Sequence, residues 1–177
     1  MTRRLVEEVE RFPELRVSPL STQDMAPLDA AFAHAIYDAA VRRWLTINHL
    51  LSAVSNVDRR RLEPTVHAAL LCGAAQILFM DRVPAYAAIN EAVELVKRVA
   101  SRGAAGLVNA ALRRVAEHIA PDQGGPDQGD PAAAGTSAGG LLPQDAIPLD
   151  DGRMLRLTRP LLPADTTWRI AVATSHP

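Results

Sequence analysis

The chain lacks nearly everything needed for stapling, redox or clustered-metal chemistry. Its 177 residues include one cysteine, Cys72, which excludes an internal disulfide and any multi-cysteine metal site. Aromatic residues are 4% of the chain, so a core must be assembled from Ala, Leu, Val and Ile, which suits close-packed helices better than a β-sandwich. Lysine is almost missing: of nineteen Lys and Arg, Lys97 alone is a lysine. Charge of one sign is missing too, because a net charge of −1 excludes a polycation and gives no general affinity for nucleic acid. The longest apolar run, Ala68–Met80, is broken by Gln76 and falls short of the roughly 20 residues a bilayer demands. Thr2–Arg11 is too polar for a signal-peptide core. The expectation is a cytoplasmic protein without a membrane segment.

What is present is helical periodicity. Thr2–Arg11 sets Leu5, Val6 and Val9 against a charged remainder and ends at Phe12–Pro13, since a residue preceding proline is pushed out of the helical region. Residues 13–27, with three prolines, read as a connector. A second helix is expected from about Leu28 to Trp44, with Asp29 in its first turn, Phe32, Ile36 and Ala40 facing inward, and His34, Asp38 and Arg42 forming a polar stripe. Thr46 is the candidate N-cap of a third helix running to Val54. The fourth helix begins around Glu63–Pro64–Thr65, and its lack of a polar face from Ala68 to Met80 assigns it to the centre of a bundle.

Asp81–Arg114 reads as an αα-hairpin. Pro84 fits a helix start, and Ile89, Ala92, Val93, Val96 and Ala100 recur at helical steps with Glu94 and Arg98 spaced to pair. Ser101–Arg102–Gly103 interrupts the pattern as a tight turn, after which Val108, Ala111, Leu112, Val115 and Ile119 start a second stripe. Beyond it, 121–140 reads PDQGGPDQGDPAAAGTSAGG, too poor in apolar side chains to offset the entropy of ordering. Charge obeys the same division: residues 1–120 carry fifteen Lys/Arg against thirteen Asp/Glu, or +2, whereas 121–150 carry five Asp and no cation. Structure is expected again after 150, with Met154, Leu155 and Leu157 extended and a helix over Thr166–Ala173.

The order VPAYAAINEAVELVKR, a short Gly-containing turn, then AAGLVNAALRRV resembles the C-terminal helices of the NusB-like RNA-binding domain. It is closer to the version at the N-terminus of RsmB-type rRNA 5-methylcytosine methyltransferases than to the free-standing antitermination factor. LDAAFAHAIYDAAVRRWLTINHLLS and VHAALLCGAAQILFMD resemble the preceding helices, so the likeness covers roughly Pro27 to Glu117. It implies an all-α, NusB-like helical bundle over 1–120; composition then gives a flexible acidic linker over 121–150, longer than the family leads one to expect, and a C-terminal extension over 151–177. In the methyltransferases a triplet like Ser175–His176–Pro177 lies where the catalytic half begins, so 151–177 reads as the lead-in to an absent catalytic domain. The usual first helix of the family is longer and more basic than the one here.

Catalysis is not expected. No strand–Gly-loop–helix unit is legible for S-adenosylmethionine, no metal or cofactor is called for, and Cys72 sits in the most apolar helix as a small hydrophobe. His34/Asp38 reads as part of a solvated stripe and His67 as a helix-end histidine; His49 and His118 show no partner in the sequence. RNA binding rests on arginines: Arg3 and Arg4, carried over weakly from the Arg-rich N-terminal segment of the family; Arg42 and Arg43 at a helix end; Arg59, Arg60 and Arg61 in a loop; and Arg113 and Arg114 near the end of the last domain helix. Arg matches phosphate bidentately, although the composition also reflects a GC-rich genome, and helix-dipole complementation also accounts for Arg42, Arg43, Arg113 and Arg114. Tyr37, Trp44 and Tyr86 are candidate base-stacking rings, with Tyr37 and Trp44 better read as core-edge anchors. The implied partners are ribosomal RNA or its leader, a small ribosomal-subunit protein, or a second copy of the chain. The function expected is an antitermination-type or rRNA-modification accessory that binds the nascent transcript. The alternatives are the recognition fragment of an rRNA cytosine-C5 methyltransferase and a module docking a ribosomal protein.

Overall fold

The computed structural model describes residues 1–12, 20–55, 57–120 and 142–175. Six helices build the bundle: α1 (Thr2–Arg11), α2 (Pro27–Arg42), α3 (Trp44–Ser55), α4 (Pro64–Phe79), α5 (Ala85–Val99) and α6 (Arg102–Glu117), with a 3-10 turn at Arg59–Arg61 between α3 and α4. An antiparallel hairpin of β1 (Ala146–Pro148) and β2 (Met154–Arg156) comes next, then α7 (Thr166–Thr174). The expected all-α, NusB-like bundle is what forms. The stretch 121–141, expected to be a linker, lies outside the described residues, as do most of the connector (13–19) and His176–Pro177.

The apolar helix takes the centre. Pro64 opens α4, a position where its missing N–H costs nothing. Every residue from Val66 to Gln76 is buried, and α1, α2, α3, α5 and α6 all pack against α4. Leu70 and Leu71 are fully enclosed; truncating either to Ala is the kind of change that costs about 2–5 kcal/mol. The first helix docks through Leu5, while Phe12 stacks on Trp44 at 5.7 Å with ring planes 11° apart.

Local details depart from expectation where side chains find distant partners. Thr46 lies inside α3, not at its cap, with its hydroxyl buried against the end of α7. Phe32 is 44% exposed while Ile36 and Ala40 are buried, because α2 overhangs the bundle at its N-terminal end, where Met25 and Leu28 are exposed as well. Glu94 pairs with Lys97 at 2.7 Å, not with Arg98, and Lys97 thereby holds the Glu94 carboxyl below its ordinary range. The α5–α6 turn is made by extended Ala100 and by Ser101, whose Oγ accepts the Ala104 N–H at 3.2 Å; Gly103 already belongs to α6. His67 is buried and bonded to Asn48 Oδ1 at 2.7 Å. His49 bonds the Leu161 carbonyl at 2.8 Å, and His118 lies 3.0 Å from Thr158 Oγ1.

The C-terminal extension belongs to the same core. Ile147, Leu157, Leu162, Val172 and Ala173 are buried in the cluster that holds α3, α4 and α6 together. The expected linker therefore gives way to structure before 150: Ala146 and Ile147 are fully buried in β1. Ile119 bridges to Leu157, and the Ala120 N–H donates to the Arg156 carbonyl at 2.9 Å, which fastens the hairpin to the end of α6. Gly152 turns the hairpin at φ +85°, a backbone conformation open to glycine without steric cost. Asp165 caps α7, accepting the Trp168 N–H at 2.7 Å. No helix among the described residues is long and apolar enough to cross a membrane.

Candidate nucleic-acid interface

The expected arginines separate into two populations. Arg4 pairs with Glu7 and lies 3.8 Å from the fully buried Glu8, so its guanidinium serves the seat of α1. Arg43 is 8% exposed. It donates to the Ala173 carbonyl at 3.3 Å, pairs with Asp150, and sits over the Phe79 ring at 5.4 Å. These contacts tie the helix junction to the extension and leave Arg43 little surface for a phosphate.

Arg3, Arg42, Arg60, Arg61, Arg113 and Arg114 are exposed; of Arg59, the described part is its backbone in the 3-10 turn. Asp58 organises that turn. Its carboxylate accepts the Arg60 N–H at 3.0 Å and its carbonyl accepts the Arg61 N–H at 3.0 Å. Arg61 Nε is 3.6 Å from Asp58 Oδ2 with the arginine 89% exposed, an ion pair that solvent screening makes weak. The loop thus presents Arg60 and Arg61 outward from a backbone fixed by one acid.

Two clefts decide the local chemistry of the remaining cations. The first, about 450 Å³, is lined by α2, the end of α4 and the hairpin, and gathers Arg42, Arg43 and Arg153 with Asp38, Asp81, Asp150 and Asp151. Arg153 bonds both Asp81 and Asp151 at 2.6 Å. The Arg153 backbone N–H, and then its guanidinium, hold the Asp151 carboxyl below its ordinary range. Four carboxylates around three guanidiniums make this cleft a poor phosphate site, and Arg42 shares it. The second cleft, about 210 Å³, lies between α5 and α6 and is lined by Tyr86, Ile89, Asn90, Arg113, Ala116 and Glu117. Tyr86 is 71% exposed, whereas Tyr37 and Trp44 are buried at 1% and 2%. Of the candidate stacking rings, Tyr86 is therefore the accessible one.

Asn90 and Glu117 do not stand out in the sequence. Tyr86–Asn90 and Arg113–Glu117 each show i,i+4 spacing, but the spacing does not reveal that the pairs face each other across the hairpin. No group of three or more His, Cys, Asp or Glu able to hold a metal exists among the described residues. Burial pushes the Cys72 thiol up to about 12, which leaves it a poor nucleophile at neutral pH.

An Ala-rich helical bundle around a non-polar central helix, carrying outward arginines on the termini and turns of its outer helices, is the class of domain defined here. The NusB family model matches residues 2–117, and the chain belongs to that family. Among curated proteins it is 30% identical over 95 residues to a probable ribosomal RNA small subunit methyltransferase B of Synechocystis sp.. That alignment takes in 54% of this chain and 21% of the relative. It is 40% identical over 62 residues to the transcription antitermination protein NusB of Rhodospirillum rubrum, covering 35% of this chain and 34% of that protein. It is also 26% identical over 110 residues to the NusB of Sodalis glossinidius, covering 62% and 79%. The chain thus spans about a fifth and about a third of the first two of these relatives. No solved structure matches it.

Proposed function

We propose that this chain is a cytoplasmic RNA-binding module that holds single-stranded ribosomal RNA or its nascent transcript and performs no catalysis of its own. The observation that carries this reading is the Arg60–Arg61 turn, whose guanidiniums project from a backbone fixed by Asp58. Arginines of this kind contact phosphate oxygens and position a strand without reading its sequence. Arg3 and Arg114 extend the set, and Arg113 stands apart at the α5–α6 cleft; Arg4 and Arg43 leave it because their guanidiniums are engaged inside the fold. Arg42 contributes weakly, since carboxylates surround it. Relatives named for antitermination and for ribosomal RNA methylation support the same class of target.

The test is a titration of the full chain with a short rRNA leader at two salt concentrations. Affinity should fall steeply with salt, because bound phosphates release counterions. The double variant Arg60→Gln/Arg61→Gln should weaken binding and flatten the salt slope by about 1 to 2 in log–log units, roughly 0.7 for each phosphate of a single strand left unneutralised. No binding at low salt, together with a stable complex with a small ribosomal-subunit protein, would replace this reading by that of a protein-docking module.

A second reading is favoured by one observation, the packing of Ile147, Leu157, Leu162, Val172 and Ala173 into the bundle core. An extension so built in suits the recognition portion of an rRNA cytosine methyltransferase, rigidly joined to a catalytic domain. Methylation of rRNA by the chain supplied with a separately expressed catalytic domain, and its absence with either alone, would favour that version.

A further inference from the structure

We propose that the α5–α6 cleft is a pocket for one unstacked guanine of single-stranded RNA, an inference that rests on the RNA-binding reading above. The apolar lining of the cleft is Ile89 and Ala116, and Tyr86 borders it. Tyr86 exposes 71% of its surface, an arrangement that offers a stacking face to a flat ring. At about 210 Å³ it has room for a single planar base and not for a helix or a strand of protein.

The polar groups restrict the choice further. Arg113 is anchored at one edge, its Nε donating to Asn109 Oδ1 at 3.2 Å, a bond that does not use its terminal N–H groups. Glu117 stands one helical turn further along, in the arginine-first order that is the weaker arrangement for an i,i+4 pair, and no ion pair joins the two among the described residues. A carboxylate in the cleft repels phosphate, so the site is suited to a base and not to the backbone. Two carboxylate oxygens call for two adjacent N–H donors, and the arginine fork calls for two adjacent acceptors. Guanine offers both, with N1–H and N2–H on one edge and O6 and N7 on the next; arginine on O6 and N7 is the commonest base-specific contact in nucleic-acid complexes. Uracil has one N–H on its pairing edge, and adenine and cytosine have an amino group there with no ring N–H beside it, so none of the three offers a carboxylate the N1–H and N2–H pair. The Asn90 amide, donor and acceptor in one group, completes the rim.

The experiment uses the full chain and three short oligouridines: unmodified, with one central guanosine, and with inosine in its place. The guanosine strand should bind about tenfold more tightly than the other two. Tyr86→Ala should weaken the guanosine strand about tenfold, the usual effect of removing one base-stacking ring. Glu117→Gln should erase the distinction between guanosine and inosine. Tyr86 and Glu117 are both exposed, so these variants keep the fold. Equal affinity for the three strands, or cleft variants that bind all of them like the parent, overturns the pocket while salt-dependent binding through Arg60 and Arg61 still stands. Absence of binding to any strand at low salt overturns both. Cleft variants that abolish binding of a small ribosomal-subunit protein and leave every RNA affinity unchanged assign the cleft to a protein side chain and overturn the pocket.

Discussion

Thr46 Oγ1 donates to the Val172 carbonyl at 2.5 Å, joining the first turn of α3 to the last turn of α7 across 126 residues of sequence. Ser175, in a left-handed conformation at φ 56°, completes the joint by accepting the Thr46 N–H at 3.2 Å. That N–H lies in the first turn of α3 and has no partner within its own helix, so the far end of the chain caps α3. Thr46→Val keeps the shape but leaves the Val172 carbonyl unmet in a buried place. It should cost about 1–3 kcal/mol, read as a fall in the urea midpoint at an unchanged slope. Ser175→Ala should cost less, about 0.5–2 kcal/mol, the range for removing a helix cap.

Arg43 and its neighbour Arg42 separate stability from RNA contact. Arg43→Met removes a buried guanidinium that holds the Ala173 carbonyl and the Phe79 ring. The Asp150 partner is 80% exposed, so solvent screens that ion pair and most of the loss comes from the carbonyl and the ring. The expected cost is about 1–3 kcal/mol, with faster amide hydrogen exchange in α7 and unchanged RNA affinity under native conditions. Arg42→Gln should leave the melting temperature within a degree or so, as exposed substitutions usually shift stability by less than about 0.5 kcal/mol.

How much of the fold the sequence reveals depends on the range of each interaction. The order and extents of α4, α5 and α6 are legible because periodicity is local and the apolar helix has one place to go. Thr46 reads as a cap, and is not one, because its partners Val172 and Ser175 lie at the other end of the chain. Ala146 and Ile147 read as linker because three-residue strands leave almost no pattern; their burial comes from the bundle they rest on. The arginines show the same limit at the site. Arg3 and Arg4, or Arg42 and Arg43, are identical in type and adjacent in sequence, and the bundle turns one of each pair outward and the other into the fold.

Gly73 marks the closest approach of α4 and α6. A methyl group built there would lie 2.5 Å from Leu112 Cδ1 and 3.4 Å from the Ala92 Cβ. Gly→Ala inside a helix gains about 0.5–1 kcal/mol, whereas forcing a methyl into a filled core costs about 1–3 kcal/mol. Leu112 is fully buried, so its side chain yields only by repacking against its neighbours, and Gly73→Ala should be net destabilising by about 1 kcal/mol. Combining it with Leu112→Val should be less damaging than the sum of the two single changes. A double-mutant cycle in urea reads that coupling directly.

Cys72 sets a pH dependence with a definite sign. Burial raises its thiol from an ordinary 9.0 to about 12 in the folded chain. Between those values the unfolded chain gives up the proton while the folded chain keeps it, so the unfolded state binds fewer protons and stability falls as pH rises. Below 9 both states hold the proton and the residue contributes no slope. Thermal midpoints measured from about pH 8 to about pH 11 should therefore decline, and Cys72→Ala should decline less over the same span. Every other group is common to the two proteins, so the difference between the two curves is the quantity that isolates the thiol. The same burial makes alkylation of Cys72 at about pH 8 slow in buffer and fast in urea, with a rate that tracks the fraction unfolded. Equal pH curves for parent and variant, or rapid alkylation without denaturant, would show that α4 opens locally and that its centre is not sealed.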